Sequence, residues 1–237
     1  MGKIALDILY PVRCPGCDEV LPFKYREKGF CKKCKTKIIR NNKATCFKCG
    51  KPITDETKEF CTDCGKIRRR FTQGKAVYVY KGPMKTAMYR FKYSNRRCYA
   101  RQFAKDCMEI HGKWIENQKF DCIMPVPMYR RKQRKRGYNQ AEAFGAYLSK
   151  ACGVPMDKNS LMRIKNTQPM KFLSDVGRRQ NLENAFKVRQ NIVTYNKVLI
   201  IDDIFTTGST MDGVAKVLLQ AGVKEVYCIS VCIGDAY

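Results

Sequence analysis

The sequence lacks any apolar run that approaches the ~20 residues needed to span a membrane. The first apolar stretch, residues 4–9, is interrupted by Asp7 and is too short for the core of a signal peptide. Acidic residues are also scarce, with 21 Asp and Glu against 47 Lys and Arg. We therefore expect a protein that has no transmembrane segment and stays in the cytoplasm.

The shortage of acids gives the chain a formal net charge of +26. The excess is spread along the chain, because both the first 70 residues and the remainder are strongly basic. A charge of this size concerns partners and solubility rather than fold. It favours nucleic acid as a partner, with an anionic membrane surface or a merely well-solvated surface as alternatives.

The length of 237 residues is enough for two domains, and the basic cluster at residues 66–70 marks the predicted boundary. We assign residues 1–70 to a small amino-terminal domain and residues 71–237 to a larger one. In the larger domain, strands predicted at 76–80, 122–126, 198–201 and 226–233 alternate with amphipathic helices. A helix opens at Asn139, with Glu142 three residues on, and ends at Gly153. This alternation predicts an α/β domain with a parallel sheet.

Eight of the 14 cysteines form four Cys-x-x-Cys knuckles in the first 65 residues. Two knuckles supply the four thiolates of a tetrahedral Zn²⁺ site, and the intervening polar, Lys-rich segments have too few apolar residues to fold unaided. A disulfide framework would need an oxidising compartment, which nothing in the sequence indicates. We predict two structural zinc ions, with sequential or interleaved pairing of the knuckles left open. The ligands are Cys14, Cys17, Cys31, Cys34, Cys46, Cys49, Cys61 and Cys64.

The most informative stretch is residues 198–210, Val-Leu-Ile-Ile-Asp-Asp-Ile-Phe-Thr-Thr-Gly-Ser-Thr. A buried parallel strand over 198–201 ends in Asp202 and Asp203, and a loop of hydroxyl residues around Gly208 leads into a helix. Small residues and free N–H groups at a helix start bind phosphate. The pattern predicts a phosphate site made by Thr206, Thr207, Gly208, Ser209 and Thr210, and an ordinary strand-to-helix turn is the alternative.

This segment resembles the phosphoribosyl-pyrophosphate motif of type I phosphoribosyltransferases. The resemblance implies that Asp202 and Asp203 meet the ribose hydroxyls and that the loop holds the 5′-phosphate, with Mg²⁺ bound together with phosphoribosyl pyrophosphate.

Two further polar segments follow predicted strands. Residues 130–136 carry six positive charges, and the segment 163–181 contains Thr167-Gln168-Pro169, Arg178 and Asn181. A basic run between a strand end and a helix start lies where a phosphate would be met, although such a run is also typical of a solvated loop. The candidate contacts to pyrophosphate or nucleic acid are Arg130, Arg131, Lys132, Arg134, Lys135, Arg136 and Arg178.

In their combination and order, these motifs resemble the ComF family. They are four knuckles, Pro-Val-Pro at 125–127, Arg-Gly-Tyr-Asn-Gln at 136–140, Arg-x-x-Asn at 178–181 and the 202–210 motif. The resemblance implies a double zinc ribbon joined to a type I phosphoribosyltransferase-like domain. It also implies a competence protein that handles single-stranded DNA in the cytoplasm during DNA uptake, with other DNA-uptake proteins as possible partners.

Enzymatic activity is left open by the sequence. Hypoxanthine-type salvage enzymes have an Asp at the position of Thr206, and a threonine cannot do that acid–base work. No base-stacking aromatic is assigned, with Phe205 only a weak candidate. The alternative to a DNA-handling protein is an active phosphoribosyltransferase in nucleotide salvage or metabolism. A third interpretation is a zinc-stabilised adaptor whose ligand site is vestigial.

Overall fold

The computed structural model describes residues 11–166, 185–189 and 195–234. In the amino-terminal part, a 3-10 helix over Phe23–Lys28 lies between the first two knuckles, and two short helices, α1 over Lys32–Lys35 and α2 over Thr62–Lys66, begin within the second and fourth knuckles. The remaining elements follow in chain order: β1 (Gln73–Val79), α3 (Pro83–Tyr93), α4 (Tyr99–Gln118), β2 (Cys122–Pro125), α5 (Arg130–Arg136), α6 (Gln140–Cys152), β3 (Leu161–Arg163), β4 (Phe186–Val188), β5 (Lys197–Phe205), α7 (Ser209–Gln220) and β6 (Glu225–Ile233).

Four strands form a parallel sheet in the order β1-β6-β5-β2. Its central strands are buried on both faces, as their continuous apolar runs predict. Leu199 and Ile201 pack with α3, α4 and α6, whereas Val198 and Ile200 pack with α7. This alternation continues into the acidic pair and directs Asp202 and Asp203 toward different neighbours.

The amino-terminal region covers the free edge of β1. Arg40 bridges antiparallel to Tyr78, and backbone hydrogen bonds join Asn41 N to Val77 O (2.9 Å) and Val79 N to Ile39 O (3.0 Å). Arg40 also pairs with the buried Asp106 on α4 at 2.6 Å. Covering an edge strand removes a site of unwanted pairing, so the cysteine-rich region completes the sheet. The boundary at 70/71 stays a prediction.

Two differences from the expectations concern the acidic pair and the basic run. β5 does not end at residue 201 but runs to Phe205, because Asp202 and Phe205 continue the ladder opposite Ser230 and Ile233 of β6. The basic run is a helix, α5, rather than a loop. Lys, Arg and Gln are good helix formers, and Gly137 at φ 83° provides a left-handed stop.

The antiparallel pair β3–β4 was not anticipated, because three-residue strands leave little periodic signal. The segment with Thr167-Gln168-Pro169, Arg178 and Asn181 lies outside the described residues. Among the described residues, no helix has both the length and the apolar character of a membrane span.

Candidate functional site

The cysteine knuckles meet in two tetrads, one from the first two knuckles and one from the last two. Within each tetrad all sulfur atoms lie within 4.8 Å of one another, with Cys17 and Cys31 Sγ 3.7 Å apart and Cys49 and Cys61 Sγ 3.6 Å apart. Tetrahedral zinc with Zn–S bonds of about 2.3 Å places neighbouring sulfurs about 3.8 Å apart. The pairing is therefore sequential, and each tetrad fits one structural zinc ion.

Backbone amides support the first tetrad, because Cys31 N and Cys34 N each lie 3.4 Å from a knuckle sulfur, those of Cys14 and Cys31. Such contacts stabilise thiolates and orient them toward a metal. In the second tetrad, Cys46 and Cys49 are buried with Phe71 in the core cluster beneath α7. Because these cysteines belong to the same buried cluster as residues of the sheet, metal bound at this tetrad would also stabilise the packing of the sheet domain.

We expect purified protein to contain two zinc ions per chain and to lose the folded cysteine-rich region when a chelator removes them, since this region has little apolar core. Elemental analysis with circular dichroism checks both. Cys46→Ser is expected to lower the content to about one zinc, because a tetrad that loses a ligand binds metal weakly. Less than one zinc per wild-type chain, purified without chelator, contradicts the assignment.

The acidic pair lies at the carboxyl end of β5, where parallel α/β sheets bind ligands. Lys92 Nζ of α3 lies 3.1 Å from Asp203 Oδ1, and these side chains are only 21% and 15% exposed. The Asp203 amide donates to Asp202 Oδ1 at 2.8 Å. Asp203 therefore has a cationic partner on the α3 face, and Asp202 lies against the other face.

The close spacing and burial of the two carboxylates shift the pKa values of Asp202 and of its neighbour Lys92. Burial, together with the neighbouring Asp203 carboxylate, raises the pKa of Asp202 to about 7. Burial lowers the pKa of Lys92, but its attraction to the two carboxylates prevails and the net pKa is above the ordinary value. The two carboxylates carry more negative charge than Lys92 neutralises. Their oxygens are therefore suited to coordinate Mg²⁺ or to accept hydrogen bonds from sugar hydroxyls.

The hydroxyl-rich loop, residues 206–210, turns directly into α7, which begins at Ser209. Gly208 has φ +79°, and a Cβ there would lie 2.6 Å from the Phe205 ring, so only glycine fits. Thr207 Oγ1 and Ser209 Oγ lie 2.9 Å apart. The loop thus places small hydroxyl groups at the N-terminus of a 12-residue helix, where an anion is favoured.

Arg69 lies under this loop, although the sequence suggested only a domain boundary at that point. Its side chain is 4% exposed and bonds Asp212 in the first turn of α7 at 2.9 Å, while the Arg70 amide donates to the same carboxylate at 2.9 Å. The loop is thereby fastened to the end of the cysteine-rich region. No periodic or motif signal in the sequence could have assigned Arg69 this role.

The basic helix α5 follows β2, the neighbour of β5, and the two strand ends are joined by Val126 N to Ile201 O at 2.8 Å. A groove of about 700 Å³ lies between α5 and the β3–β4 pair. Its described lining contains six basic side chains and no acidic one: Arg130, Arg131, Arg134, Lys158, Arg163 and Arg189.

The cations around α5 crowd one another. Burial and repulsion from Arg163 and Arg136 lower the pKa of Lys132. Burial also lowers the pKa of Arg163, which the charge of Asp202 partly offsets. Concentrated positive charge of this kind is relieved by a bound anion, so the groove has the electrostatics of a polyanion or pyrophosphate site.

The structure divides the Arg-Gly-Tyr-Asn-Gln motif between two roles. Asn139 caps α6 by accepting from Ala141 N at 3.1 Å, and Gln140 is buried with its amide 3.3 Å from Phe91 O. Arg136 instead bonds Gln140 Oε1 at 2.8 Å and places its guanidinium 4.9 Å from the Tyr93 ring. Asn139 and Gln140 therefore hold the local fold, and Arg136 remains the candidate for ligand contact.

Comparison with protein families gives two matches along the chain. Residues 5–65 match the double zinc ribbon domain, and residues 153–236 match the phosphoribosyl transferase domain. Together with the cysteine tetrads and the parallel sheet, these matches confirm the expected fold class of a double zinc ribbon plus a phosphoribosyltransferase-like α/β domain. The similar proteins include two that are named competence proteins and one that is named a DNA utilization protein.

Competence protein F of Haemophilus influenzae is 35% identical over 153 residues, which cover 61% of this chain and 65% of that protein. DNA utilization protein YhgH of Escherichia coli O157:H7 is 30% identical over 155 residues, 63% of this chain and 68% of that protein. Competence protein ComFC of Bacillus subtilis is 27% identical over 151 residues, 63% of this chain and 59% of that protein. The match thus spans about two thirds of these relatives' length.

Among solved structures, an adenine phosphoribosyltransferase from Thermoanaerobacter pseudethanolicus is 20% identical with a TM-score of 0.34, covering 57% of this chain and 84% of that one. That superposition is too loose to bear on the site. The two domain matches and the level of identity to YhgH identify the chain as a member of the ComF family.

Proposed function

We propose that this protein is a competence protein that handles single-stranded DNA in the cytoplasm during DNA uptake, and that its α/β domain binds phosphoribosyl pyrophosphate with Mg²⁺. The names of the relatives, Competence protein F, ComFC and DNA utilization protein, support the DNA-related role. The match to the phosphoribosyl transferase domain supports the ligand.

The observation that carries the proposal is the meeting of opposite charges at one edge of the sheet. Asp202 and Asp203 precede the 206–210 loop at the end of β5, and the charge of Asp202 acts on Arg163, which lines the groove whose described residues include six cations and no acid. A phosphoribosyl group needs carboxylates for its hydroxyls and cations for its phosphates, and a DNA strand needs cations for its backbone. This arrangement of charges therefore supports the proposal of both ligands.

The residues assigned to phosphoribosyl pyrophosphate are Asp202, Asp203, Thr206, Thr207, Gly208, Ser209 and Thr210. The carboxylates would meet the ribose hydroxyls and Mg²⁺, which when bound neutralises pyrophosphate charge. The loop hydroxyls and the amides of α7 would hold the 5′-phosphate. The cations of α5 would take the pyrophosphate or the DNA backbone.

The test is to titrate the zinc-loaded protein with phosphoribosyl pyrophosphate, with and without Mg²⁺, by calorimetry, and with labelled oligo-dT by fluorescence anisotropy at several salt concentrations. We expect Mg²⁺-dependent binding of the first ligand. For the second, we expect a log K that falls linearly with log salt, since each neutralised phosphate releases counterions. Failure of either titration at low salt removes that half of the proposal.

An active phosphoribosyltransferase remains the second candidate, because the acidic pair and the loop are both intact. The protein, Mg²⁺ and phosphoribosyl pyrophosphate are incubated with a panel of nucleobases while pyrophosphate release is followed. Release that depends on one base would establish this activity. Thr206 excludes only the acid–base role that an aspartate has there in hypoxanthine-type enzymes.

A further inference from the structure

Two tyrosines on α3 are exposed side by side. Tyr89 and Tyr93 are 62% and 63% exposed and lie four residues apart, on one face of the helix. Their ring centroids are 5.1 Å apart and the rings are tilted by 49°. The exposed parts of these two rings contribute no buried apolar surface to the fold, so the pair is available to a partner.

The surface around this pair is positive. α3 contains no acid, the exposed Lys85 precedes Tyr89 by one helical turn, and no Asp or Glu occurs from Cys64 to Lys105, a stretch with 13 Lys and Arg. Arg136 of α5 places its guanidinium 4.9 Å from the centre of the Tyr93 ring. Exposed rings surrounded by cations are complementary to a chain of negative phosphates that carries flat bases, rather than to a neutral protein surface.

The pair also borders the candidate ligand site. Lys92, the residue before Tyr93, reaches Asp203 at 3.1 Å, and Arg136, whose guanidinium lies 4.9 Å from the centre of the Tyr93 ring, belongs to the basic helix. A strand whose phosphates follow α5 would therefore bring its bases onto α3. Aromatic side chains bind successive bases in this way with little sequence preference.

We propose that Tyr89 and Tyr93 form a stacking platform for the bases of single-stranded DNA, which rests on the proposed DNA-handling function. The phosphate contacts of α5 position the strand, and the tyrosine rings provide the contact that distinguishes bases from a bare backbone. Arg136 contributes a cation beside the inner ring, where it faces both a base and its phosphate.

The experiment compares labelled oligo-dT with an abasic oligonucleotide of the same length, which keeps the phosphates and lacks the bases. Full-length, zinc-loaded wild type is expected to prefer oligo-dT by about tenfold or more, since stacking is worth ~1–3 kcal/mol per base. In Tyr89→Ala/Tyr93→Ala, oligo-dT affinity should fall to the abasic level. Abasic affinity and the salt slope should be unchanged, because no phosphate contact is removed.

Two matched variants test the ring itself. Tyr89→Phe/Tyr93→Phe is expected to keep the preference for oligo-dT, because phenylalanine retains the π-face. Tyr147→Ala, which removes a ring that is 41% exposed on α6, should also keep it. Measured melting temperatures check that all variants are folded, and we expect them to be close to that of wild type because the positions are exposed.

Retention of the preference by the double alanine variant overturns the platform, and so does equal loss of affinity for both oligonucleotides. Wild type that binds both oligonucleotides equally rejects the platform and leaves the DNA-handling function standing. Wild type that binds neither at low salt rejects that function and the platform together.

Discussion

Replacing Asp202 or Asp203 with asparagine is expected to abolish Mg²⁺-dependent binding of phosphoribosyl pyrophosphate. Each variant removes one of two carboxylates that lie adjacent at the end of β5, next to the Gly208 loop. A hard cation and ribose hydroxyls need charged oxygen ligands, and an amide supplies only a neutral one. Calorimetry with and without Mg²⁺ measures the loss.

The two variants should differ in stability. Asp203→Asn leaves the largely buried Lys92 without its 3.1 Å partner, which costs about 1–3 kcal/mol of unfolding free energy. Asp202→Asn removes a buried charge that its neighbour disfavours, as the pKa near 7 indicates, so its stability at pH 8 should equal or exceed that of wild type. Loss of binding without loss of stability is typical of a functional residue rather than a structural one.

The control is Glu225→Gln, which removes one negative charge at the opposite, amino-terminal edge of the same sheet. It should leave the affinity for phosphoribosyl pyrophosphate unchanged. The site assignment is wrong if both aspartate variants titrate the ligand like wild type. Thermal melts of all three proteins separate a binding defect from unfolding.

Replacing Arg131, Lys132, Arg134 and Lys135 of α5 with alanine is expected to weaken single-stranded DNA binding and to flatten its salt dependence. Each lost phosphate contact changes the slope of log K against log salt by about 0.7, so four contacts change it by up to roughly 3. The loss should be similar for all sequences, because phosphate contacts position a strand without specifying it. Anisotropy titrations with oligo-dT and mixed-sequence strands measure both effects.

A charge-matched control replaces Lys113, Lys119, Lys150 and Lys224 with alanine. All four are exposed and lie outside α5 and the groove, and both variants lower the formal net charge of +26 by four. If a diffuse field alone attracts DNA, the two variants should be equally impaired, whereas a local contact surface predicts a larger change for the α5 variant.

Other outcomes for the α5 variant are also informative. Loss of phosphoribosyl pyrophosphate binding with an unchanged DNA slope would assign the cations to the pyrophosphate instead. Unchanged affinity for both ligands would identify α5 as a solvated surface helix. Ala is the best helix former, so the helix itself is expected to persist in the variant.

The sequence by itself predicted the two candidate sites whose residues are close neighbours in the chain. The Cys-x-x-Cys spacing fixes two thiolates within one turn, which is enough to predict metal ligands. The run from Val198 to Thr210 specifies a buried strand, an acidic pair and a glycine loop, because each step depends on local backbone and burial preferences. These local rules also predicted the four strands of the parallel sheet and the helices between them, but not α5 or the β3–β4 pair.

Tertiary structure decided which distant residues complete those sites. Lys92 of α3 pairs with Asp203, Arg163 of β3 is close enough to feel the charge of Asp202, and Arg69 reaches α7 from the end of the cysteine-rich region. The tertiary structure also decided that the knuckles pair sequentially, and that Asn139 and Gln140 make hydrogen bonds within the fold. A basic or polar side chain has the same appearance in a sequence whether it faces solvent or a carboxylate, and only packing distinguishes the two.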